Sequence, residues 1–159
     1  MLRITDQYFW NFIFTLLFVG MVTMFAIILD TEARMSFDEL TLTDFVLITL
    51  ATWRLVRLFV YDAVTKFVRE QFWDARKSGR GVLLEKPKTG PRRTLADLLS
   101  CPWCFGVWSA SVVIFLYLLT EWAIYPIMLL AISAVATYLQ LLSNLTGHRA
   151  EQLKKMNGG

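Results

Sequence analysis

Four long apolar stretches alternate with polar segments along this chain. They cover residues 7–29, 40–61, 102–119 and 122–142. A helix needs roughly 20 residues to cross about 30 Å of hydrocarbon, and all four stretches come close to that length or exceed it. Three of them carry no charge, whereas the second contains Asp44, Arg54 and Arg57. The pattern predicts four transmembrane helices.

Composition agrees with this pattern. The chain has 159 residues, of which 56% are hydrophobic and 14% aromatic, and a soluble domain of that size needs a more polar surface. We therefore expect an all-α integral membrane protein with a single membrane domain over residues 1–159. The first stretch is longer than the apolar region of a signal peptide and no small-residue cleavage site closes it, so we expect it to be retained.

Orientation follows from the positions of lysine and arginine, which favour the cytoplasmic side. Residues 30–39 contain four acids and one base, whereas residues 62–101 and the C-terminal tail have an excess of bases. Four spans with both termini in the cytoplasm place every polar segment on the side that its charge favours. Aromatic side chains then fall near the membrane interfaces, as is typical; these are Tyr8, Trp10, Trp103, Trp122 and Tyr125.

The cytoplasmic segment 62–101 has its own predicted organisation. Apolar residues from Val60 to Phe72 recur at helical spacing, which indicates an amphipathic helix on the inner leaflet or against the end of the bundle. Glycines and prolines in residues 78–93 predict a loop. Thr94 is the expected N-cap of a following helix, with Asp97 as its partner. The basic residues lack the aromatic platform of a nucleic-acid site, so we expect no nucleic-acid partner.

The chain's two cysteines lie in the sequence Cys101-Pro102-Trp103-Cys104, at the start of the third span. A proline suits the first helical turn, so Cys101 is placed near an N-cap, where backbone N–H groups and the helix dipole favour a thiolate. The spacing also resembles that of dithiol oxidoreductases, but the βαβ pattern that carries such a site is missing here.

Metal binding is a second interpretation of the motif. Structural zinc takes four ligands, and Cys101, Cys104 and His148 supply three from one chain, while two chains supply four thiolates. A third interpretation is structural. Gly106, with Ser109 and Ala110, forms a small-residue face for close helix packing, flanked by Trp103 and Trp108. We favour this structural interpretation; zinc remains an alternative and no other cofactor is expected.

Arg54 and Arg57 are unusual within an apolar stretch. If Asp44 lies at the outer boundary, ten residues at about 1.5 Å each place Arg54 roughly 15 Å deep. The alternative, which we favour, is that both side chains extend to the cytoplasmic interface. A buried arginine would bind an anion, hold a carboxylate or lower the pKa of Cys101. Candidate neutral partners are Gln140 and Asn144.

Two segments of the chain resemble a known family. Residues 50–62 (LATWRLVRLFVYD) and 98–108 (LLSCPWCFGVW) resemble the domain-of-unknown-function family thirteen-sixty, small bacterial and phage membrane proteins with an Arg-x-x-Arg-Leu helix, a basic loop and a Cys-x-x-Cys-x-Gly-x-Trp junction. The resemblance extends over about residues 47–142 and leaves the first span outside. It implies the architecture and a coupling of the arginines to the cysteine motif, and it implies no reaction.

Function is therefore expected to be non-enzymatic, without a catalytic residue. The leading hypothesis is a subunit or scaffold of an assembly in the bacterial inner membrane, with the lipid bilayer and further copies of the chain or other subunits as partners. Two alternatives remain: a cytoplasm-facing dithiol or metal site at Cys101 and Cys104, and a holin-like or pore-forming oligomer.

Overall fold

The computed structural model describes residues 2–78 and 81–156. Short 3-10 turns lie between the regular elements at Phe37–Glu39, Ala63–Thr65 and Glu121–Ala123. Those elements are, in chain order, α1 (Leu2–Glu32), α2 (Leu42–Val60), α3 (Lys66–Glu70), β1 (Asp74–Ser78), β2 (Gly81–Glu85), α4 (Pro91–Leu98), α5 (Pro102–Leu119) and α6 (Ile124–Met156).

Three helices in the described part of the chain are long and apolar enough to cross a membrane. They comprise Asp6–Glu32, Pro102–Leu119 and Glu121–Met156, which confirms that the first, third and fourth apolar stretches form membrane-compatible helices. Helix α2 has 19 residues, three of them charged, and is not among them. The count of four spans stays a prediction.

The core lies where α2 packs between α5 and α6. Ala51 of α2, Val113 and Leu118 of α5 and Ile127 of α6 are all buried there. Helix α1 lies to one side and contacts α4 and α5. The charged helix α2 is therefore the centre of the bundle, and α1, whose segment 7–29 has no charged residue, is at its edge.

The N-terminal end of α2 is held by a polar cluster. Thr41 is the N-cap, and its backbone N–H donates to Asp44 at 2.9 Å while its hydroxyl accepts from the Asp44 N–H at 3.3 Å. Asp44 also accepts a hydrogen bond from the Tyr117 hydroxyl of α5. Arg34 lies over the Tyr117 ring and donates to its carbonyl oxygen. The charge of Asp44 is therefore used to cap α2 and join it to α5.

The predicted amphipathic helix over residues 60–72 is wrong. Helix α2 ends at Val60, the chain turns at Asp62, and α3 is only five residues long. The reason is capping by tertiary contacts: Arg69 donates to the carbonyl of Phe59 at 2.9 Å, and Thr65 donates to that of Leu58. These side chains satisfy C-terminal carbonyls of α2, which a continuous helix would keep internal.

Residues 74–78 and 81–85 form a two-stranded antiparallel hairpin. The prediction of a loop over residues 78–93 and the all-α fold class are therefore wrong at this hairpin. Strand β1 pairs with β2 in a register that places Asp74 opposite Glu85 and Ser78 opposite Gly81. Gly79 and Arg80, part of the expected loop, lie outside the described residues. The protein is mostly helical, with this hairpin inserted between α3 and α4.

The expected N-cap at Thr94 is wrong as well. Helix α4 begins at Pro91, and Gly90 precedes it with a φ of 102°, a left-handed conformation that favours glycine. Thr94 is therefore inside the helix and buried. At the other end of the chain, α6 continues beyond the predicted boundary at residue 142 to Met156, so His148 is helical and not part of an irregular tail.

Candidate functional site

Cys101 is the N-cap of α5, and Pro102 occupies the first turn. The Cys101 Sγ accepts a hydrogen bond from the backbone N–H of Cys104 at 3.3 Å. The cap position follows from the local sequence, because proline has no N–H to lose at a helix start and its ring fixes a helical φ. The first cysteine therefore caps the helix through its sulfur, as predicted from its position before Pro102.

The two thiols touch each other. Their sulfurs lie 2.6 Å apart, whereas a covalent disulfide measures about 2.05 Å, and both cysteines are free. The hydrogen bond with the Cys104 side chain, supported by the Cys104 N–H, lowers the pKa of the Cys101 thiol below its ordinary value of 9.0. Cys101 is half-buried and Cys104 is exposed. The arrangement favours a thiolate on Cys101 with a second thiol in contact with it.

Both cysteines open into a cleft of about 280 Å³ between α1, α4 and α5, which we call the thiol cleft. Its polar side chains come from all three helices and its apolar wall combines aromatic and aliphatic groups. The lining residues are Asn11, Phe14, Thr15, Thr94, Asp97, Leu98, Cys101, Cys104 and Trp108.

A triad of polar side chains joins α1 to α4 at the edge of the thiol cleft. Gln7 Nε2 donates to the Thr94 hydroxyl at 2.9 Å and to the side-chain oxygen Oδ1 of Asn11 at 3.0 Å. The Thr94 hydroxyl donates to the same Asn11 oxygen at 3.1 Å. These contacts satisfy the Thr94 hydroxyl in a partly buried place, where an unpaired hydroxyl would be unfavourable. The N-terminal part of α1 is thereby fixed beside the cysteines.

The remaining motif residues pack the junction. Trp108 contacts Phe18 of α1 with 5.0 Å between ring centroids, and Phe105 contacts Phe59 of α2 at 5.5 Å. A Cβ placed on Gly106 would lie 3.7 Å from a Val56 methyl group of α2, an ordinary van der Waals distance. Helices α5 and α2 therefore meet at Gly106 with room for a methyl group.

Trp103 differs from the other aromatic residues of the motif because its side chain is 85% exposed. Trp108, by contrast, packs against Phe18 of α1. An indole at the start of an apolar helix is typical of a membrane–water interface, where an amphipathic ring is favoured.

Asp97 connects the thiol cleft to the basic segment. It accepts hydrogen bonds from Lys86 at 2.8 Å and Arg93 at 2.7 Å. Burial alone would raise the pKa of this carboxyl, but the two cations outweigh burial and lower the pKa below its ordinary 3.8. Two of the basic side chains are thereby used inside the fold, next to the cysteines.

Of the roles predicted for the two arginines of α2, Arg54 takes that of holding a carboxylate, whereas the expected neutral partners lie elsewhere. Arg54 donates to Asp62 and to Ser133 of α6, both at 2.8 Å. Arg57 lies with its guanidinium carbon 5.9 Å from the Tyr61 ring centroid. Gln140 and Asn144, the expected neutral partners, hydrogen-bond to each other. Coupling of these arginines to Cys101 stays a prediction.

The predicted zinc ligands do not form a cluster in the described part of the chain. Within residues 2–78 and 81–156, no group of three or more His, Cys, Asp or Glu side chains is placed to hold a metal ion. His148 is exposed near the end of α6. A zinc site of cysteines from two chains stays a prediction.

Gln7 and Asn11 are the site residues that sequence reasoning missed. They are 87 and 83 positions away from Thr94, so motif spacing contains no information about them. The available signal was their spacing of four in an otherwise apolar helix, which puts both amides on one face.

Three comparisons with known proteins add the following. Residues 47–143 match the family described as "Protein of unknown function (DUF1360)". The chain is 34% identical to UPF0713 protein YngL of Bacillus subtilis (strain 168) over 106 residues, which cover 65% of this chain and 80% of that protein. It is 35% identical to sporulation protein YjcA of the same organism over 103 residues, which cover 61% of this chain and 87% of that protein. No solved structure matches it.

Proposed function

The chain belongs to the family of proteins of unknown function DUF1360, and we propose that it is a multi-pass, non-enzymatic subunit of an assembly in the bacterial plasma membrane. One relative is a sporulation protein by name. We extend that setting to this chain and infer that its assembly acts in spore formation.

The exposure of α1 carries the membrane part of the proposal. The most apolar part of Asp6–Glu32 has no residue buried inside the protein. The segment 7–29 has no charged residue either, so an uncharged apolar surface is left exposed. Such a helix is unstable in water and requires lipid or other protein around it. If α1 crosses a membrane, α4 and α5 cover one of its faces and lipid covers the others, which accounts for this exposure.

Helix α2 is the proposed fourth span. Two of its three charged groups have hydrogen-bonding partners: Asp44 is bound by Thr41 and Tyr117, and Arg54 by Asp62 and Ser133. The third, Arg57, lies beside the Tyr61 ring. Paired charges that face the bundle are the form in which membrane helices tolerate ionisable residues. Four spans place both termini and the segment 62–101, with its hairpin, in the cytoplasm according to the distribution of bases.

A groove on the surface of α2 and α6 supports the role as a subunit. It measures about 390 Å³ and carries almost no polar surface. We propose that it receives a helix from a second copy of the chain, so that the protein is a homo-oligomer. Its lining residues are Thr49, Leu50, Trp53, Ala134, Val135 and Tyr138.

The groove can be tested by filling it. In Val135→Trp the indole occupies the groove. The control is Ile132→Trp, because Ile132 is also an exposed residue of α6 but does not line the groove. Single-molecule photobleaching of full-length chains with a C-terminal fluorescent protein, in lipid vesicles at low density, counts copies. We expect several bleaching steps for the wild type and Ile132→Trp and one step for Val135→Trp. Single steps for the wild type, or equal counts for the two variants, would contradict the proposal.

A further inference from the structure

Beyond the role as a subunit, we propose that Cys101 and Cys104 form a thiol–disulfide exchange site that accepts a low-molecular-weight disulfide in the thiol cleft. The product is a reversible intramolecular disulfide between the two cysteines. A membrane subunit does not require such a site, so this inference stands on the geometry of the cleft and not on the proposed assembly.

The positions of the sulfurs assign a role to each cysteine. Cys101 Sγ receives the N–H of Cys104 at the N-terminus of an 18-residue helix, where a thiolate is stabilised by the N–H group and the helix dipole. Cys104 is exposed and lies 2.6 Å from that sulfur. Cys101 is therefore the attacking thiolate and Cys104 the resolving thiol.

The thiol cleft defines the substrate by size and polarity. About 280 Å³ gives room for one half of a small disulfide. Phe14 and Trp108 form an apolar wall, and Asn11 presents its amide N–H groups. The Thr15 and Thr94 hydroxyls donate their protons to Asn11 oxygens, so toward the cleft they can only accept. Such a lining suits a peptide-like thiol, whose amide groups hydrogen-bond while its sulfur reaches Cys101.

The exchange balances without another reactant. The Cys101 thiolate attacks one sulfur of the disulfide RSSR, the S–S bond breaks, and RS⁻ leaves and takes the proton that Cys101 released. Cys104 then loses its proton and attacks the Cys101 sulfur of the mixed disulfide, releasing the second RS⁻, which takes that proton. The protein dithiol is oxidised by two electrons and RSSR is reduced to two RSH.

Oxidised glutathione is a suitable probe, with the reduced full-length chain in lipid nanodiscs. The chain has two cysteines, so alkylation after an acid quench, followed by intact-mass spectrometry, counts every thiol. We expect the wild type to lose both thiols together without forming a covalent dimer. A wild type that keeps both thiols, or collects two separate glutathione adducts, overturns the proposal. A sample denatured before alkylation controls for reagent access.

Single-cysteine variants test the two roles. Cys104→Ser should accumulate one glutathione on Cys101, because the resolving thiol is missing. Cys101→Ser should form its adduct on Cys104 more slowly, because that sulfur lacks the cap position. Equal rates in the two variants would overturn the assignment. Elution of each variant at the wild-type position in size-exclusion chromatography shows that it folds.

Two threonines of α1 test the cleft itself. Thr15 lines it and Thr23 does not, yet both are exposed and both donate their hydroxyl to the carbonyl four residues earlier at 2.9 Å. Thr15→Trp fills the cleft and should slow the reaction of Cys101 with oxidised glutathione several-fold, whereas Thr23→Trp should leave the rate unchanged. Equal rates for both variants would overturn the role of the cleft. The photobleaching counts are independent of this reaction, so the failure of either proposal is recognised separately.

Discussion

Arg54 Nη1 lies 2.8 Å from Asp62 Oδ2, across the C-terminal end of α2. Both side chains are mostly buried, with 16% and 27% of their surfaces exposed. The contact connects the charge inside α2 to the residue at which the chain turns away from the helix. Asp62, just beyond the end of α2, is one partner of Arg54. Ser133 of α6 is the second.

The first prediction concerns this pair. Asp62→Asn removes the negative charge and leaves the arginine partly buried without its counter-ion, so we expect the free energy of unfolding to fall by about 1–3 kcal/mol. Glu70→Gln is the matched control, because the Lys66–Glu70 pair is exposed and should change stability by less than about 1 kcal/mol. Reversible unfolding in mixed micelles, followed by circular dichroism, measures both. Equal effects of the two variants would show that burial of the Arg54–Asp62 pair is unimportant.

The second prediction concerns the attachment of α1. Thr94→Val removes the hydroxyl that joins Gln7 and Asn11 to α4, and we expect a loss of about 1–2 kcal/mol in the free energy of unfolding. Thr137→Val is the control, since that hydroxyl donates only within α6, to the Ser133 carbonyl. Hydrogen exchange of residues 6–15 should rise in the first variant alone. Unchanged exchange in Thr94→Val would contradict the docking role of the triad.

The third prediction concerns Gly106. Its place opposite Val56 leaves room for a methyl group at 3.7 Å, so Gly106→Ala should keep or raise stability, by up to about 1 kcal/mol from helix propensity. Gly106→Leu should destabilise the protein, because its larger side chain meets Val56. Thermal unfolding of the two variants side by side checks this. A strongly destabilised alanine variant would restore a strict requirement for glycine.

The fourth prediction is a pH dependence from Asp97. The pKa of this carboxyl is lower in the folded protein than its ordinary 3.8, so its contribution to stability is complete above that value. It is lost as the pH falls through the lowered pKa, because protonation breaks the contacts with Lys86 and Arg93. Thermal unfolding midpoints should be measured from about pH 6 to about pH 2.5, an acid range that brackets the ordinary carboxyl pKa. As the pH falls, they should decrease more steeply for the wild type than for Asp97→Asn. Parallel curves would show that Asp97 contributes nothing to acid sensitivity.

Much of the helical architecture could be predicted because it depends on local composition. The uncharged stretches became α1, α5 and α6, and Pro102 was correctly read as a helix start. The elements predicted between α2 and α5 have the wrong bounds, since helix ends there depend on side chains from other turns of the chain. Arg69 and Thr65 cap α2 from beyond a turn, and a helical spacing of apolar residues contains no sign of that turn.

The candidate site divides in the same way. The contact between Cys101 and Cys104 depends on a spacing of three at a helix start, and sequence alone indicates it. The thiol cleft depends on α1 lying beside α4, through side chains more than 80 positions apart. No local pattern predicts such a contact, whereas the structure brings Asn11 and Thr94 together with the cysteines.

Topology is tested most directly through the two native cysteines. In right-side-out and inverted membrane vesicles, a membrane-impermeant maleimide reaches only one face, and Cys104 is exposed at the start of α5. With four spans and cytoplasmic termini, we expect labelling in inverted vesicles alone, with detergent-opened vesicles labelled in both preparations. Labelling of right-side-out vesicles would contradict the proposed orientation and, with it, the cytoplasmic placement of the thiol cleft.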